Sequence, residues 1–178
     1  MKTIITIQHT QSVHHTNGMV SSWTDWDLSE LGVQQAKRIG EKLKTELAGR
    51  AFVMYSSDLK RAKQTADNVG EYLGVVPILR TELRERNLGR CCGKSVHWLR
   101  ENLEQQERTI DDRLFSDAES RRDEWNRLKP LGFINVFVKM KPEKQLKNTK
   151  VAIISLYCLS VALFLMMFSP GDTSINSM

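Results

Sequence analysis

The chain is 178 residues long, with 40% hydrophobic residues, 26% charged residues and a net charge of +5. This length suits one domain with a sizeable core, and the composition excludes wholesale disorder and a multi-span membrane protein. Residues 139–150 hold five lysines, one glutamate and no aromatic residue, so they carry most of the net charge. We interpret them as a solvated linker, with a patch for an anionic ligand as the alternative, and we expect no nucleic-acid partner.

The cysteine content indicates the cellular compartment. The chain has three cysteines, Cys91, Cys92 and Cys158. They form no CxxC pair and no metal-ligand spacing, and a sparse, odd count is typical of a reducing environment. The first residues lack the basic and long apolar segments of a signal peptide. We therefore expect a cytoplasmic protein.

Strand and helix patterns alternate from the amino terminus. β-Branched and apolar runs predict strands, and apolar residues at steps of three and four predict the helices between them. Ser29 and Asp58 are candidates to open the two helices, and Gly49 and Gly74 to end them. The predicted elements are a strand over 3–7, a helix over 29–49, a strand over 52–55, a helix over 58–74 and a strand over 75–79.

The pattern is less regular beyond residue 79. Ser116 and Glu119 have the spacing of a capping box, which predicts a helix over 117–128. For the apolar run from Phe133 to Val138, the sequence favours neither helix nor strand.

The segment from Val151 to Phe168 contains no charged residue. As a helix it would span about 27 Å, slightly less than the hydrocarbon core of a bilayer, so a C-terminal membrane anchor is one interpretation. A strand over 151–155 followed by a core helix over 159–168 would be equally apolar and is the interpretation we favour. A degraded or frameshifted remnant after about residue 128 is a third.

The β-α-β-α-β order indicates an α/β fold, a three-layer sandwich with a mostly parallel central sheet flanked by helices. Chemistry in such folds lies just beyond the carboxyl ends of the strands. His9 follows the first predicted strand, Arg61 the second and Glu85 the third. A nucleophile, a cation for anionic oxygens and a carboxyl acid are the groups that phosphoryl transfer to an imidazole requires.

Four segments in this order resemble the histidine phosphatase superfamily, also called phosphoglycerate mutase-like. They are 8–11 (Gln-His-Thr-Gln), 23–36, 56–66 and 83–89. The segment 56–66, Ser-Ser-Asp-Leu-Lys-Arg-Ala-Lys-Gln-Thr-Ala, is the most specific. The likeness covers residues 3 to about 128. We therefore expect a single phosphoglycerate mutase-like domain over 1–178, of which 129–178 is divergent or incomplete.

The resemblance implies a mechanism. His9 would attack phosphorus and become a phosphohistidine, and Arg61 would hold the phosphoryl oxygens. Glu85 would protonate the leaving oxygen and later activate water. No metal or other cofactor is implied.

The resemblance also implies further contacts. Gln8 would bind the phosphate, and Ser12 and Arg86 would bind the rest of the substrate. The expected partner is a small phosphorylated substrate or a phosphate anion, and the oligomeric state is left open.

The chain departs from the family's pattern in the phosphate pocket. Gln8 stands where the family has an arginine, and Thr10 and Gln11 stand where it has glycine and glutamate. The family's second histidine follows a late strand. Depending on which segment is that strand, Leu156 or Pro170 occupies the position here.

The histidine content sets a limit on activity. The chain has four histidines, His9, His14, His15 and His97. A second catalytic histidine could therefore come only from the last three. We predict a phosphatase with impaired activity on a small phosphomonoester. An inactive phosphate-binding or interaction module on the same fold is the alternative, as is a membrane-anchored form of either.

Overall fold

A four-stranded parallel sheet forms the centre of the molecule. The computed structural model describes residues 3–131 and 151–155, with side chains for residues 4–131. The strands are β1 (Thr3–Ile7), β2 (Phe52–Ser56), β3 (Ile78–Leu79) and β4 (Val151–Ser155), in the order β1-β4-β2-β3. Every pairing is parallel, which confirms the predicted sheet.

Within residues 3–131, five α-helices connect or follow these strands. They are α1 (His14–Asn17), α2 (Glu30–Glu46), α3 (Lys60–Leu73), α4 (Val96–Asn102) and α5 (Arg121–Leu128). Short 3₁₀ turns lie at Thr81–Leu83, Gly89–Cys91 and Lys129–Leu131. Ser29 caps α2 by accepting a hydrogen bond from the Gly32 amide, as predicted.

Helices cover both faces of the sheet. Ile7 of β1 and Met54 of β2 pack with Leu43 of α2 and Val69 of α3. Alternate residues of a strand face opposite sides of the sheet. Ile4 of β1 and Tyr55 of β2 therefore face the layer on the other side. There they pack against a cluster that contains Leu83 and Leu128, the latter from α5. The predicted three-layer sandwich is confirmed.

Three predicted element boundaries are wrong. Asp58 does not open α3, because its carboxylate accepts a hydrogen bond from Arg84 Nε (2.8 Å) and the helix begins at Lys60. The third strand holds only Ile78–Leu79, because Val75 N–H donates back to the end of α3 and Pro77 has no amide hydrogen. Helix α2 ends at Glu46, ahead of Gly49.

The capping box lies four residues later than predicted. Ser120 accepts from the Asp123 amide (3.1 Å) and the Asp123 carboxylate accepts from the Ser120 amide (2.8 Å), so α5 begins at Arg121. Ser116 instead accepts a hydrogen bond from Arg90. The Glu119 carboxylate accepts hydrogen bonds from Arg127 and therefore does not cap the helix.

The start of the C-terminal apolar segment is a strand. Val151–Ser155 lies between β1 and β2 and pairs with both, which confirms the favoured interpretation for these five residues. Within the described ranges, no helix has the length and hydropathy to cross a bilayer. The possible helix over 159–168, the run from Phe133 to Val138 and the lysine-rich stretch 139–150 lie outside the described residues.

Gly32 lets α2 approach the loop after β1. A Cβ atom at this position would lie 1.9 Å from the Gln11 carbonyl oxygen, which is far inside van der Waals contact. The same carbonyl accepts a hydrogen bond from the Ser29 amide (3.0 Å). The first turn of α2 thereby holds the segment that carries His9.

Candidate active site

The carboxyl ends of the parallel strands bring the three predicted groups together. Ile7 and Ser56 both pair with Ser155, so β1 and β2 end at the same level of the sheet. Arg61, in the first turn of α3, donates from Nε to His9 Nε2 (3.1 Å) and from Nη2 to Glu85 Oε2 (2.8 Å). The expected grouping of His9, Arg61 and Glu85 is therefore present, and their roles as nucleophile, cation and acid remain predictions.

His9 is a neutral imidazole that carries its proton on Nδ1 and its lone pair on Nε2. An arginine N–H can only donate, so Nε2 must be the accepting nitrogen and the proton must be on Nδ1. Nδ1 accordingly donates to the Thr10 carbonyl (2.7 Å). The pKa of His9 is lowered to about 3, mainly by burial and also by the nearby Arg61 charge, against the opposing effect of the Thr10 hydrogen bond. The ring is therefore unprotonated at neutral pH, as a nucleophile requires.

Arg61 is completely buried, with 0% of its surface exposed. Besides His9 and Glu85, it donates to the carbonyls of Thr24 and Ser22, each at 2.9 Å. These acceptors hold the guanidinium against both the nucleophile and the acid. A phosphoryl group would have to compete with them for its N–H groups, and the predicted role of phosphate anchor remains a prediction.

The Glu85 carboxyl group is largely but not completely buried, with 16% of its side chain exposed, and its surroundings suit proton transfer. Burial raises the pKa of Glu85 to about 7, although the Arg61 charge and the Ser21 hydroxyl favour the ionised form. Ser21 Oγ donates to the same oxygen that Arg61 contacts, at 3.2 Å. A carboxyl group whose pKa lies near 7 can exchange a proton in both directions at neutral pH, as a general acid and base must.

Thr65 is a site residue that the sequence analysis missed. Its hydroxyl donates to the Arg61 carbonyl (2.9 Å) and accepts from the Thr10 amide (3.2 Å). It is fully buried and lies one helical turn after Arg61, on the same face of α3. Its position four residues after Arg61, within the segment 56–66, is the sequence feature that could have identified it.

Arg127 of α5 is a second missed residue. Its Nη1 donates to the carbonyls of Glu82 (2.7 Å) and Arg84 (2.9 Å), and its Nη2 donates to the carbonyl of Glu85 (3.2 Å). The Glu119 carboxylate accepts from both Nε and Nη2 of the same guanidinium. Arg127 therefore fixes the backbone that carries the acid. No sequence spacing pointed to it, because it lies 42 residues beyond Glu85.

His14 and His15 lie against His9. The His15 ring stacks on His9 with centroids 5.4 Å apart, and the His14 ring meets His9 edge-on at 5.6 Å. One nitrogen from each of the three rings lies within 4.8 Å of the others. Of the three possible substitutes for the missing histidine, His14 and His15 are thus at the site. His97 is on an exposed helix face beside Glu101.

Such a cluster could in principle hold a metal ion, but its surroundings favour an anion. The Arg61 guanidinium lies 3.1 Å from His9 Nε2, where it would repel a cation. His15 Nδ1 accepts a hydrogen bond from the Ser12 amide (3.0 Å), which occupies one of its two ring nitrogens.

The remaining predicted contacts have different surroundings. Gln8 is exposed at the end of β1. Ser12 is fully buried, and its hydroxyl is hydrogen-bonded to His14 Nδ1. Arg86 forms an ion pair with Glu107, in which both side chains are largely buried. Substrate or phosphate contacts of these three residues remain predictions, and Leu156 and Pro170 lie outside the described residues.

Comparisons with known proteins agree with this geometry. The family model described as histidine phosphatase superfamily (branch 1) matches residues 4–152. A 2,3-bisphosphoglycerate-dependent phosphoglycerate mutase of Thermobifida fusca is 37% identical over 98 residues, which are 53% of this chain and 39% of the mutase. This chain therefore spans less than half the length of that relative.

Solved structures show the same fold. A mycobacterial glucosyl-3-phosphoglycerate phosphatase superimposes with a TM-score of 0.68 at 26% identity, over 86% of this chain and 73% of that one. Its complex with inorganic phosphate gives 0.63 at 25% identity, over 87% and 73%. The match to the family model and the shared fold show that the chain belongs to the histidine phosphatase superfamily.

Proposed function

We propose that this protein is a phosphatase that hydrolyses a small phosphomonoester through a phosphohistidine on His9. The observation that carries the proposal is the contact of Arg61 with both His9 Nε2 and Glu85 Oε2 at one edge of the sheet. Nucleophile, cation and proton donor are then within reach of one phosphoryl group. Both a phosphatase and a mutase occur among the similar proteins, and the phosphatase is solved with inorganic phosphate.

The first step forms the phosphoenzyme. His9 Nε2 attacks phosphorus, the N–P bond forms, and the P–O bond to the leaving group breaks. Glu85 gives its proton to the departing oxygen. His9 Nδ1 keeps its proton and donates it in a hydrogen bond to the Thr10 carbonyl, which leaves the reactive electron pair on Nε2.

The second step releases phosphate. The Glu85 carboxylate takes a proton from water, the water oxygen bonds to phosphorus, and the N–P bond breaks. This returns His9 to its neutral form and Glu85 to its acid form. Neither step requires a metal ion, and we expect the reaction to take place in the cytoplasm.

Phosphate binding and proton uptake should be coupled through Arg61. In the structure, the Glu85 carboxyl occupies one guanidinium nitrogen of Arg61. When Glu85 is protonated, its hold on Arg61 weakens, and a phosphoryl oxygen becomes the better acceptor. The acid form of Glu85 is also the form needed for the first step.

We expect the rate to be low. Gln8 replaces a cation by a neutral amide, and no histidine follows His97. Loss of one preorganised donor to a developing anion costs about 10²–10³ in rate. These two departures also favour the second candidate, a phosphate-binding or interaction module without turnover.

The decisive experiment is trapping of the phosphoenzyme. We expect radiolabelled phosphate from a panel of phosphomonoesters to appear on the protein as an acid-labile, base-stable label. His9→Ala should abolish both label and hydrolysis, whereas His97→Ala, which alters an exposed histidine far from Arg61, should keep both. Absence of label and of hydrolysis across the panel would leave the binding module, for which inorganic phosphate should still raise the melting temperature. Transfer of the label to an alcohol acceptor in preference to water would indicate a mutase.

A further inference from the structure

We propose that the Nε2–H group of His15 is a second hydrogen-bond donor to the phosphoryl oxygens. A neutral imidazole would then supply part of the stabilisation that is lost with the cation at Gln8 and with the second histidine. This inference rests on the proposed function, because it places His15 in the phosphate pocket of His9. It nevertheless has a binding readout that does not depend on turnover.

The tautomer of His15 is set by the backbone. Its Nδ1 accepts a hydrogen bond from the Ser12 amide at 3.0 Å. An amide can only donate, so Nδ1 carries no proton, and the neutral ring must carry it on Nε2. Burial is the main cause that lowers the pKa of His15, Arg61 adds to it, and a hydrogen bond with the Ser12 backbone opposes both. The net shift is downward, so the neutral ring prevails at pH 7. His15 therefore presents one N–H donor without needing a charge.

The ring is placed where such a donor is useful. It stacks on His9 at an interplanar angle of 28°, and a nitrogen of each ring lies within 4.8 Å of the other. A phosphorus atom in position for attack lies about 3–3.5 Å from His9 Nε2. Its non-bridging oxygens then extend far enough for a donor on the neighbouring ring to reach one of them. His15 is also exposed to solvent, so an anion can reach its ring.

Ser12 links both extra histidines to the nucleophile loop. Its amide holds His15, and its hydroxyl is hydrogen-bonded to His14 Nδ1. Because Ser12 is fully buried and its backbone also pairs with Leu28, the two rings have a rigid support. This support makes Ser12 a positioning residue for the donor.

A metal ion is the competing occupant of the three histidines. It would require an available electron pair on each ring, but the Nδ1 pair of His15 accepts the Ser12 amide and its Nε2 holds the proton. It would also lie close to the buried Arg61 guanidinium, which is 3.1 Å from His9 Nε2. Both features favour a phosphate anion over a cation.

The test separates the donor from the ring. His15→Phe keeps an aromatic ring to stack on His9 but removes the N–H group, whereas His15→Gln removes the ring but keeps an N–H donor of similar reach. Titration calorimetry with inorganic phosphate should show an affinity loss of about 10- to 100-fold for His15→Phe, the range for a hydrogen bond to a charged acceptor. His15→Gln should stay within a few-fold of the parent protein. The matched controls are His97→Phe and His97→Gln, and both should bind phosphate normally.

Several outcomes would overturn the inference. They are equal affinity for phosphate in His15→Phe and the parent protein, equal loss in His15→Phe and His15→Gln, and no phosphate binding by the parent protein. Zn²⁺ that raises the melting temperature in a His15-dependent way, where inorganic phosphate does not, would assign the cluster to a metal. Failure of the proposed function is seen separately, as absence of the His9 phosphoenzyme, and it leaves the phosphate titration decisive for His15.

Discussion

The two sides of the His9 ring are built from different chemistry. On one side, Arg61 is completely buried, carries a full charge and donates to four protein acceptors. On the other side, His14 and His15 are neutral rings that both form a hydrogen bond with Ser12. The charged group contacts acceptors from distant parts of the chain, whereas both imidazoles contact a residue of their own loop.

This difference has an energetic reason. A buried guanidinium without acceptors would be very costly, so the charged side must be fully hydrogen-bonded before any substrate arrives. A neutral N–H group has a far smaller desolvation cost and can remain partly exposed to solvent. The charged side therefore has to be complete in the folded protein, whereas the neutral side can keep a donor open to solvent.

The largest expected effect tests the charged side. Arg61→Gln keeps a neutral donor but removes the charge, and we expect turnover to fall about 10²–10³-fold. The free energy of unfolding should fall by about 3–5 kcal/mol at pH 8, because the Glu85 carboxylate is then buried without its partner. At pH 5 the loss should be smaller, since Glu85 is then protonated. Turnover and urea unfolding at both pH values measure these effects.

Arg122→Gln is the control for this substitution. Arg122 lies on α5 in an exposed ion pair with Asp111, and its loss should leave the free energy of unfolding almost unchanged because solvent screens such a pair. An equal loss of stability at pH 5 and pH 8 in Arg61→Gln would contradict the buried ion pair as its cause.

The pH dependence of hydrolysis tests the acid. In the proposed mechanism Glu85 must be protonated in the first step. Because burial raises its pKa to about 7, kcat/KM for an alkyl phosphate should fall above pH 7, about tenfold for each further unit. His9 is neutral above pH 3 and adds no limb in this range. With p-nitrophenyl phosphate, whose leaving group needs no proton, the fall should be weaker. The charge of Arg61 lowers the pKa of Glu85 and the charge of Glu124 raises it, so the pH at which activity falls depends on these two residues.

Glu85→Gln provides the matched variant. It should lose most activity on the alkyl ester, lose less on the nitrophenyl ester and remove the alkaline limb. Identical pH profiles for the two esters in the parent protein would argue against Glu85 as the proton donor.

The smallest expected effect tests how the acid is positioned. Arg127→Lys keeps a positive charge but cannot serve the carbonyls of Glu82, Arg84 and Glu85 together. We expect kcat for the alkyl ester to fall several-fold with little change in KM, and the alkaline limb to shift as Glu85 becomes better hydrated. Arg122→Lys on the same helix is the control. A rise in KM alone, with an unshifted limb, would show that Arg127 does not act through Glu85.

The helix ends illustrate where sequence reasoning succeeds and fails. Ser29 was recognised as a cap because its partner, Gly32, lies three residues away. The Ser-x-x-acid spacing at Ser116 was equally good, but the structure uses Ser120, since Arg127 binds Glu119. Local spacing could not reveal that competing contact.

The α/β fold and the grouping of His9, Arg61 and Glu85 could be predicted from the residue pattern alone. Parallel strands present their carboxyl ends at one edge, so the order of elements along the chain is enough to bring these residues together. Three features could not be predicted in this way: the insertion of β4 between β1 and β2, the support of Glu85 by Arg127 and the stacking of His15 on His9. The first two depend on contacts between residues far apart in the chain. The stacking depends on the conformation of the loop after β1, which α2 and α3 hold in place.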